Sequence, residues 1–155
     1  MKTNAMRLLD QHKISYEIFY YRISKEDSDA TQIAVQLGIP VNLLYKTLVC
    51  IDLNSHICIA VLPSNEQLST KKLEKITQSK ELVLLPVEAL PVKTGYIRGG
   101  CSPLAMKKSY PTYFHSSIPE EEAIWVNAGK KGILLKLKLK NLLQLTGGKL
   151  ADIIR

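Results

Sequence analysis

Apolar positions fall first at helical spacing and then at alternating spacing. Ala5, Met6, Leu8 and Leu9 share one face while Lys2, Arg7 and Asp10 stay with water, which predicts a short opening helix. Tyr16, Ile18 and Tyr20 alternate with Glu17 and Phe19 and predict a strand with an imperfect polar face. The charged and polar run from Arg22 through Asp29 predicts a loop. Asp29 is placed to cap a second helix, with Gln32 in the reciprocal position and Ile33, Ala34 and Leu37 facing inward. Gly38 and Pro40 end it. Thr47 through Ile51 and Ile57 through Leu62 flank Asp-Leu-Asn-Ser and predict a hairpin.

Ser69 is placed to cap a third helix that turns Leu73 and Ile76 inward and leaves Lys71, Lys72 and Lys75 to solvent or an anionic ligand. Leu82 through Leu85 reads as a buried strand or core-crossing segment stopped by Pro86, and Pro91 limits the short segment after it. Ile133, Leu135, Leu137 and Leu139 alternate with Lys136, Lys138 and Lys140, an amphipathic strand. Asn141 is placed to cap a last helix carrying Leu142, Leu143 and Leu145, with Gly147 and Gly148 as a flexible interruption. Short strands with helices between them predict an α+β fold with a central mixed, mainly antiparallel sheet.

The length of 155 residues and the 46% hydrophobic content suit one domain over residues 1–155. A formal charge of +7 is compatible with an anionic partner without demanding one. No apolar run approaches the roughly 20 residues of a membrane span, and the first residues lack a signal-peptide pattern, so the expectation is a cytoplasmic chain with no membrane partner. Cys50, Cys58 and Cys101 have no CxxC spacing, and His12, His56 and His115 are scattered, which predicts reduced thiols and no metal site.

The chemistry-bearing candidates cluster in Thr94-Gly95-Tyr96-Ile97-Arg98-Gly99-Gly100-Cys101-Ser102-Pro103. Its glycines permit a close approach of backbone amides to a developing oxyanion, and equally a tight structural turn. Ser102 has no nucleophile elbow around it, and Cys101 would need a lowered thiol pKa to attack. Lys46, at the entrance of an apolar strand, can hold a phosphate or ribose while its stem packs, or can simply be solvated. Lys71, Lys72, Lys93, Arg98, Lys107 and Lys108 extend an anionic track only if folding gathers them, and Lys130-Lys131-Gly132 offers a second basic surface.

Lys46-Thr47-Leu48-Val49, Val61-Leu62-Pro63, Gly95 through Pro103 and Asn127-Ala128-Gly129-Lys130-Lys131-Gly132 together resemble the YbaK/EbsC family of aminoacyl-tRNA deacylases, across nearly the whole chain. The resemblance implies an editing domain related to the insertion domain of bacterial prolyl-tRNA synthetases, acting without cofactor or metal on the acceptor end of tRNA. It implies Cys-tRNA(Pro) as the leading substrate, with Ala-tRNA(Pro) editing or a non-catalytic tRNA- or protein-binding module as alternatives. A transient association with prolyl-tRNA synthetase belongs to the same expectation, and the oligomeric state is left open. By correspondence, Lys46, Gly99 and Gly100 carry the catalytic role, and Tyr20, Arg98, Ser102 and Pro103 contact substrate. Catalysis in the family is largely assisted by the substrate, through a terminal ribose hydroxyl or a cysteine thiol. Two departures stand out: Pro111-Thr112-Tyr113-Phe114-His115 lacks the aspartate common in that region, and Asp29-Ala30-Thr31-Gln32 lacks a glycine common at the second helix.

Overall fold

The computed structural model describes residues 1–23 and 29–155, so most of the polar run predicted as a loop lies outside the described residues. The described elements are α1 (Asn4–Gln11), β1 (Glu17–Tyr20), α2 (Ala30–Leu37), β2 (Tyr45–Ile51), β3 (Ile57–Pro63), α3 (Thr70–Thr77), β4 (Val83–Leu84), α4 (Leu90–Thr94), β5 (Thr112–His115), β6 (Ala123–Asn127), β7 (Ile133–Lys138), α5 (Leu139–Thr146) and β8 (Lys149–Ala151). The α+β class with mixed, mainly antiparallel pairing is as expected, and the strands divide into two sheets. One has the order β1-β7-β6 and is antiparallel; the other runs β4-β2-β3-β5-β8, with β5 parallel to both neighbours. A bridge between Leu44 and Trp125 joins them.

Side-chain alternation explains the layering. Val49, Ile59 and Val61 from one sheet meet Ile124, Val126, Leu135 and Leu137 from the other in the main core, which α1 and α5 complete with Met6, Leu9, Leu139 and Leu142. The opposite face of the larger sheet, with Cys50, Ala60 and Leu62, packs on Leu73 of α3. The opposite face of the smaller sheet, with Trp125 and Leu134, packs on Ile33 and Leu37 of α2.

The capping expectations hold at two helices. Gln32 N–H donates to Asp29 Oδ1 at 2.9 Å, and Lys72 N–H donates to Ser69 Oγ at 3.2 Å. In the β2–β3 turn, Asn54 N–H and His56 N–H both donate to Asp52 Oδ1, which holds the Asp52 carboxyl below its usual range.

Five local expectations change. In β1 it is Phe19 that turns inward, meeting Trp125 edge-on at 5.7 Å, because its register partner Leu134 faces that outer core. Ile76 stays 39% exposed, since the eight-residue α3 buries only Leu73. Val83 and Leu84 are exposed on an edge strand, and only the flanking Leu82 and Leu85 are buried. The last helix begins at Leu139 rather than after Asn141, because Glu122 O and Glu120 O accept from the free N–H groups of Leu139 and Lys140. Gly147 and Gly148 form an ordered helix end: Gly148 N–H donates to Leu143 O at 3.0 Å, and β8 follows at once.

Candidate active site

A cleft of about 950 Å³ opens where β2 runs past the 84–101 segment, α2 and the β6–β7 hairpin. Its floor is the apolar wall of Leu44, Leu48, Leu85, Pro86, Leu90 and Leu134. Three cations reach it, Lys46 from β2, Arg98 from the glycine loop and Lys131 from the hairpin turn, and no Asp, Glu or His among the described residues lines it.

Lys46 sits in register with Leu62, one residue after the buried Tyr45. Partial burial pulls its pKa below the ordinary lysine value, with attraction to Glu66 opposing. Among the described residues it makes no ion pair. The adjacent Thr47 also lines the cleft, and its buried Oγ1 has no hydrogen-bond partner among the described residues. A buried hydroxyl left this way costs about 1–3 kcal/mol, an expense that a bound polar ligand removes.

The glycine loop is held from both sides. Tyr96 OH donates to Leu104 O at 2.5 Å, and its ring lies so close to Gly129 that a Cβ there would fall 2.9 Å from Tyr96 Cε1. Asn127 Nδ2 donates to Gly99 O at 2.9 Å, while Asn127 Oδ1 accepts from Gly129 N–H and Lys130 N–H. Gly99 has φ +83°, a left-handed conformation open to glycine, and the Lys131 stem crosses it. Loop and hairpin turn therefore form one unit.

At the cleft wall, burial pushes the Cys101 thiol up to about 12, which disfavours the thiolate that a nucleophilic role needs. Ser102 is fully buried, with its Oγ accepting from Leu104 N–H at 3.1 Å.

The sequence candidates separate accordingly. Lys46, Arg98 and Gly99 come together in the cleft. Gly100 is buried behind it, backed by Lys130 and Lys131, and its N–H donates to Ile97 O at 3.0 Å, closing a turn. Ser102 and Pro103 are buried in the loop's base and do not line the cleft. Tyr20 is 65% exposed and does not line the cleft, whereas the adjacent Tyr21 does. His115, in the segment that departs from the family pattern, is buried in β5, where its Nδ1 accepts from Ile153 N–H at 3.3 Å. Lys72 is tied to Asp152 on α3's side of the larger sheet, so the conjectured lysine track is split. Thr47 and Asn127 line the cleft without having stood out as site candidates, although both lie within the motifs that carry the resemblance, and Lys131 of the second basic surface lines it too.

The sequence family described as the aminoacyl-tRNA editing domain matches residues 25–145. EbsC of Enterococcus faecalis, a proposed Cys-tRNA(Pro)/Cys-tRNA(Cys) deacylase, is 41% identical over 152 residues, covering 98% of this chain and 93% of that protein. Two crystal structures share the fold at low identity. A proposed trans-editing enzyme for prolyl tRNA synthetase gives a TM-score of 0.83 at 21% identity, covering 100% of this chain and 99% of its own. A hypothetical protein gives 0.84 at 19%, covering 96% and 97%. With its pattern matched over most of the chain and a relative at this identity, the chain belongs to the YbaK/EbsC family of aminoacyl-tRNA editing domains.

Proposed function

We propose that this protein is an aminoacyl-tRNA deacylase that hydrolyses the ester between a small misattached amino acid and the 3′ end of tRNA, with Cys-tRNA(Pro) as its main substrate. The observation that carries the reading is the composition of the cleft: cations and an unpaired hydroxyl suited to an anionic, polar ligand, beside a cysteine held as a neutral thiol. Such a site orients and stabilises charge but supplies little nucleophile or base of its own, so the substrate supplies them.

In this reading Lys46 holds the terminal nucleotide, Arg98 and Lys131 meet neighbouring phosphate, and the Gly99 backbone walls the ester. Water adds to the ester carbonyl while the free ribose hydroxyl relays a proton, accepting one from the water and passing its own to the carbonyl oxygen. Collapse breaks the C–O bond, returns a proton to the departing ribose oxygen, and leaves the free amino acid. With a cysteinyl ester, the substrate thiol has a second route: sulfur bonds to the carbonyl carbon, the ribose oxygen leaves and takes the thiol proton, and the resulting thioester ring is hydrolysed by water.

The name of the Enterococcus relative supports the choice of cysteine. A cytoplasmic setting and transient contact with prolyl-tRNA synthetase belong to the same proposal. Turnover tests it: catalytic amounts of protein should strip cysteine from cysteinyl-tRNA(Pro) well above the spontaneous rate. Tight tRNA binding with no added ester loss would favour a binding module instead.

A further inference from the structure

Cations are unevenly distributed along this chain. From 89 to 119 and again from 123 to 151 there is no aspartate or glutamate, although the first stretch holds Lys93, Arg98, Lys107 and Lys108 and the second Lys130 and Lys131. The fold puts these two acid-free stretches against each other. Lys131 crosses Gly99, Lys130 backs Gly100, and Asn127 is bonded to Gly99 O. Lys107 joins the same unit, its N–H donating to Thr94 O at 2.9 Å and its Cβ lying 3.7 Å from where a Gly95 Cβ would stand.

Lys93, Arg98, Lys107, Lys130 and Lys131 are all exposed, and none forms an ion pair among the described residues. Of the other lysines of the second stretch, Lys136 pairs with Glu17 and Lys138 and Lys140 pair with Glu121, while Lys149 lies apart on β8, the edge strand of the larger sheet. On α3, Lys72 pairs with Asp152, while Lys71 and Lys75 are exposed and make no ion pair among the described residues but share their helix with the carboxylate of Glu74.

We propose that the joined face of the 93–108 connection and the 130–131 turn is the docking surface for the RNA backbone leading into the cleft, so that the acceptor stem approaches over this side and not over α3. The inference rests on the proposed tRNA substrate and adds the surface that receives it. Unpaired, exposed cations with no carboxylate in their own stretch retain their full attraction for phosphate, whereas paired ones have spent it locally. Arg98 and Lys131, which belong both to this face and to the cleft, give the track continuity with the site.

The test measures binding of fluorescently labelled, uncharged proline tRNA by anisotropy across a salt series. Two double variants are compared with the parent: Lys107→Gln with Lys130→Gln, and Lys71→Gln with Lys75→Gln on α3. The first pair is expected to weaken binding roughly tenfold at low salt and to reduce the slope of log affinity against log salt by about two, with the α3 pair close to the parent. Equal losses from both pairs, no loss from the first, or no measurable binding by the parent would overturn the assignment. An acidic protein partner on this face would likewise leave tRNA binding unmoved. Because uncharged tRNA reports docking alone, hydrolysis is checked separately on 3′-O-cysteinyl adenosine. Failure there with the salt slope intact removes the deacylase reading and leaves the docking surface standing.

Discussion

Asn127 Nδ2 donates to Gly99 O at 2.9 Å, while the same side chain's Oδ1 caps the amides of Gly129 and Lys130. One amide group thus joins the hairpin turn to the loop that walls the cleft. Asn127→Ala removes three hydrogen bonds around a half-buried position and is expected to cost about 1–3 kcal/mol in urea unfolding. Deacylation should fall more than tenfold in protein that remains folded, because the Gly99 wall and the Lys131 stem lose their common anchor. Parent-like turnover would show that the loop is positioned without this clasp.

Thr47 gives a prediction of opposite sign for stability and activity. Its buried Oγ1 has no partner among the described residues, so Thr47→Val should leave the free protein as stable as before, or up to about 1 kcal/mol more stable. Turnover should drop severalfold if the hydroxyl serves a ligand. Thermal unfolding with parallel initial rates reads both, and a marked loss of stability would show that the hydroxyl is satisfied in the free protein.

The layered core was legible because apolar alternation in β2, β3 and β7 is strong, and the caps at Asp29 and Ser69 act through contacts three residues away. The start of α5 was not, because its free amides are satisfied by Glu120 and Glu122 carbonyls, which no local pattern reveals. In β1 a four-residue strand offered two apolar faces, and the cross-strand neighbours chose Phe19. At the site, Lys46, Arg98 and Gly99 were recognisable as residue types in a motif. The burial of Ser102 and the inward-tied amide of Gly100 depend on how the loop folds back on the hairpin turn.

His115 makes stability dependent on pH. Burial, helped by the nearby Lys72 charge, lowers its pKa from the ordinary value of 6.5 more strongly than Asp152 and Glu66 raise it. As pH falls through about 6.5 the unfolded chain takes up a proton that the folded chain resists, so stability is full above that value and declines below it. The neutral ring also accepts from Ile153 N–H, which a protonated ring cannot do. Urea midpoints should fall between pH 7.5 and 5.5 in the parent and fall less in His115→Gln. A parallel decline in both would place the sensitivity elsewhere.

Cys101 and Lys46 should separate cleanly on mutation. Because the Cys101 thiol is pushed up to about 12, Cys101→Ser is expected to retain activity within about tenfold and to form no covalent adduct with substrate. Lys46→Ala should lose about 100-fold in kcat/KM with little change in stability, since most of the β2 core contacts stay in place. Trapping of a cysteine-linked acyl intermediate, or full activity of folded Lys46→Ala, would reverse these roles.

The most direct measurement of the central claim compares initial ester-loss rates on the same proline tRNA carrying cysteine, alanine, serine or proline, at matched subsaturating concentrations and with spontaneous hydrolysis subtracted. A pocket that senses only small differences in size discriminates by about 10- to 200-fold at most, so a contribution from the substrate thiol is read in the cysteine-to-serine ratio. Cysteinyl ester should be cleaved fastest, with seryl and alanyl esters well behind it and prolyl ester spared. Faster cleavage of the alanyl ester, or prolyl ester loss at the cysteinyl rate, would contradict it.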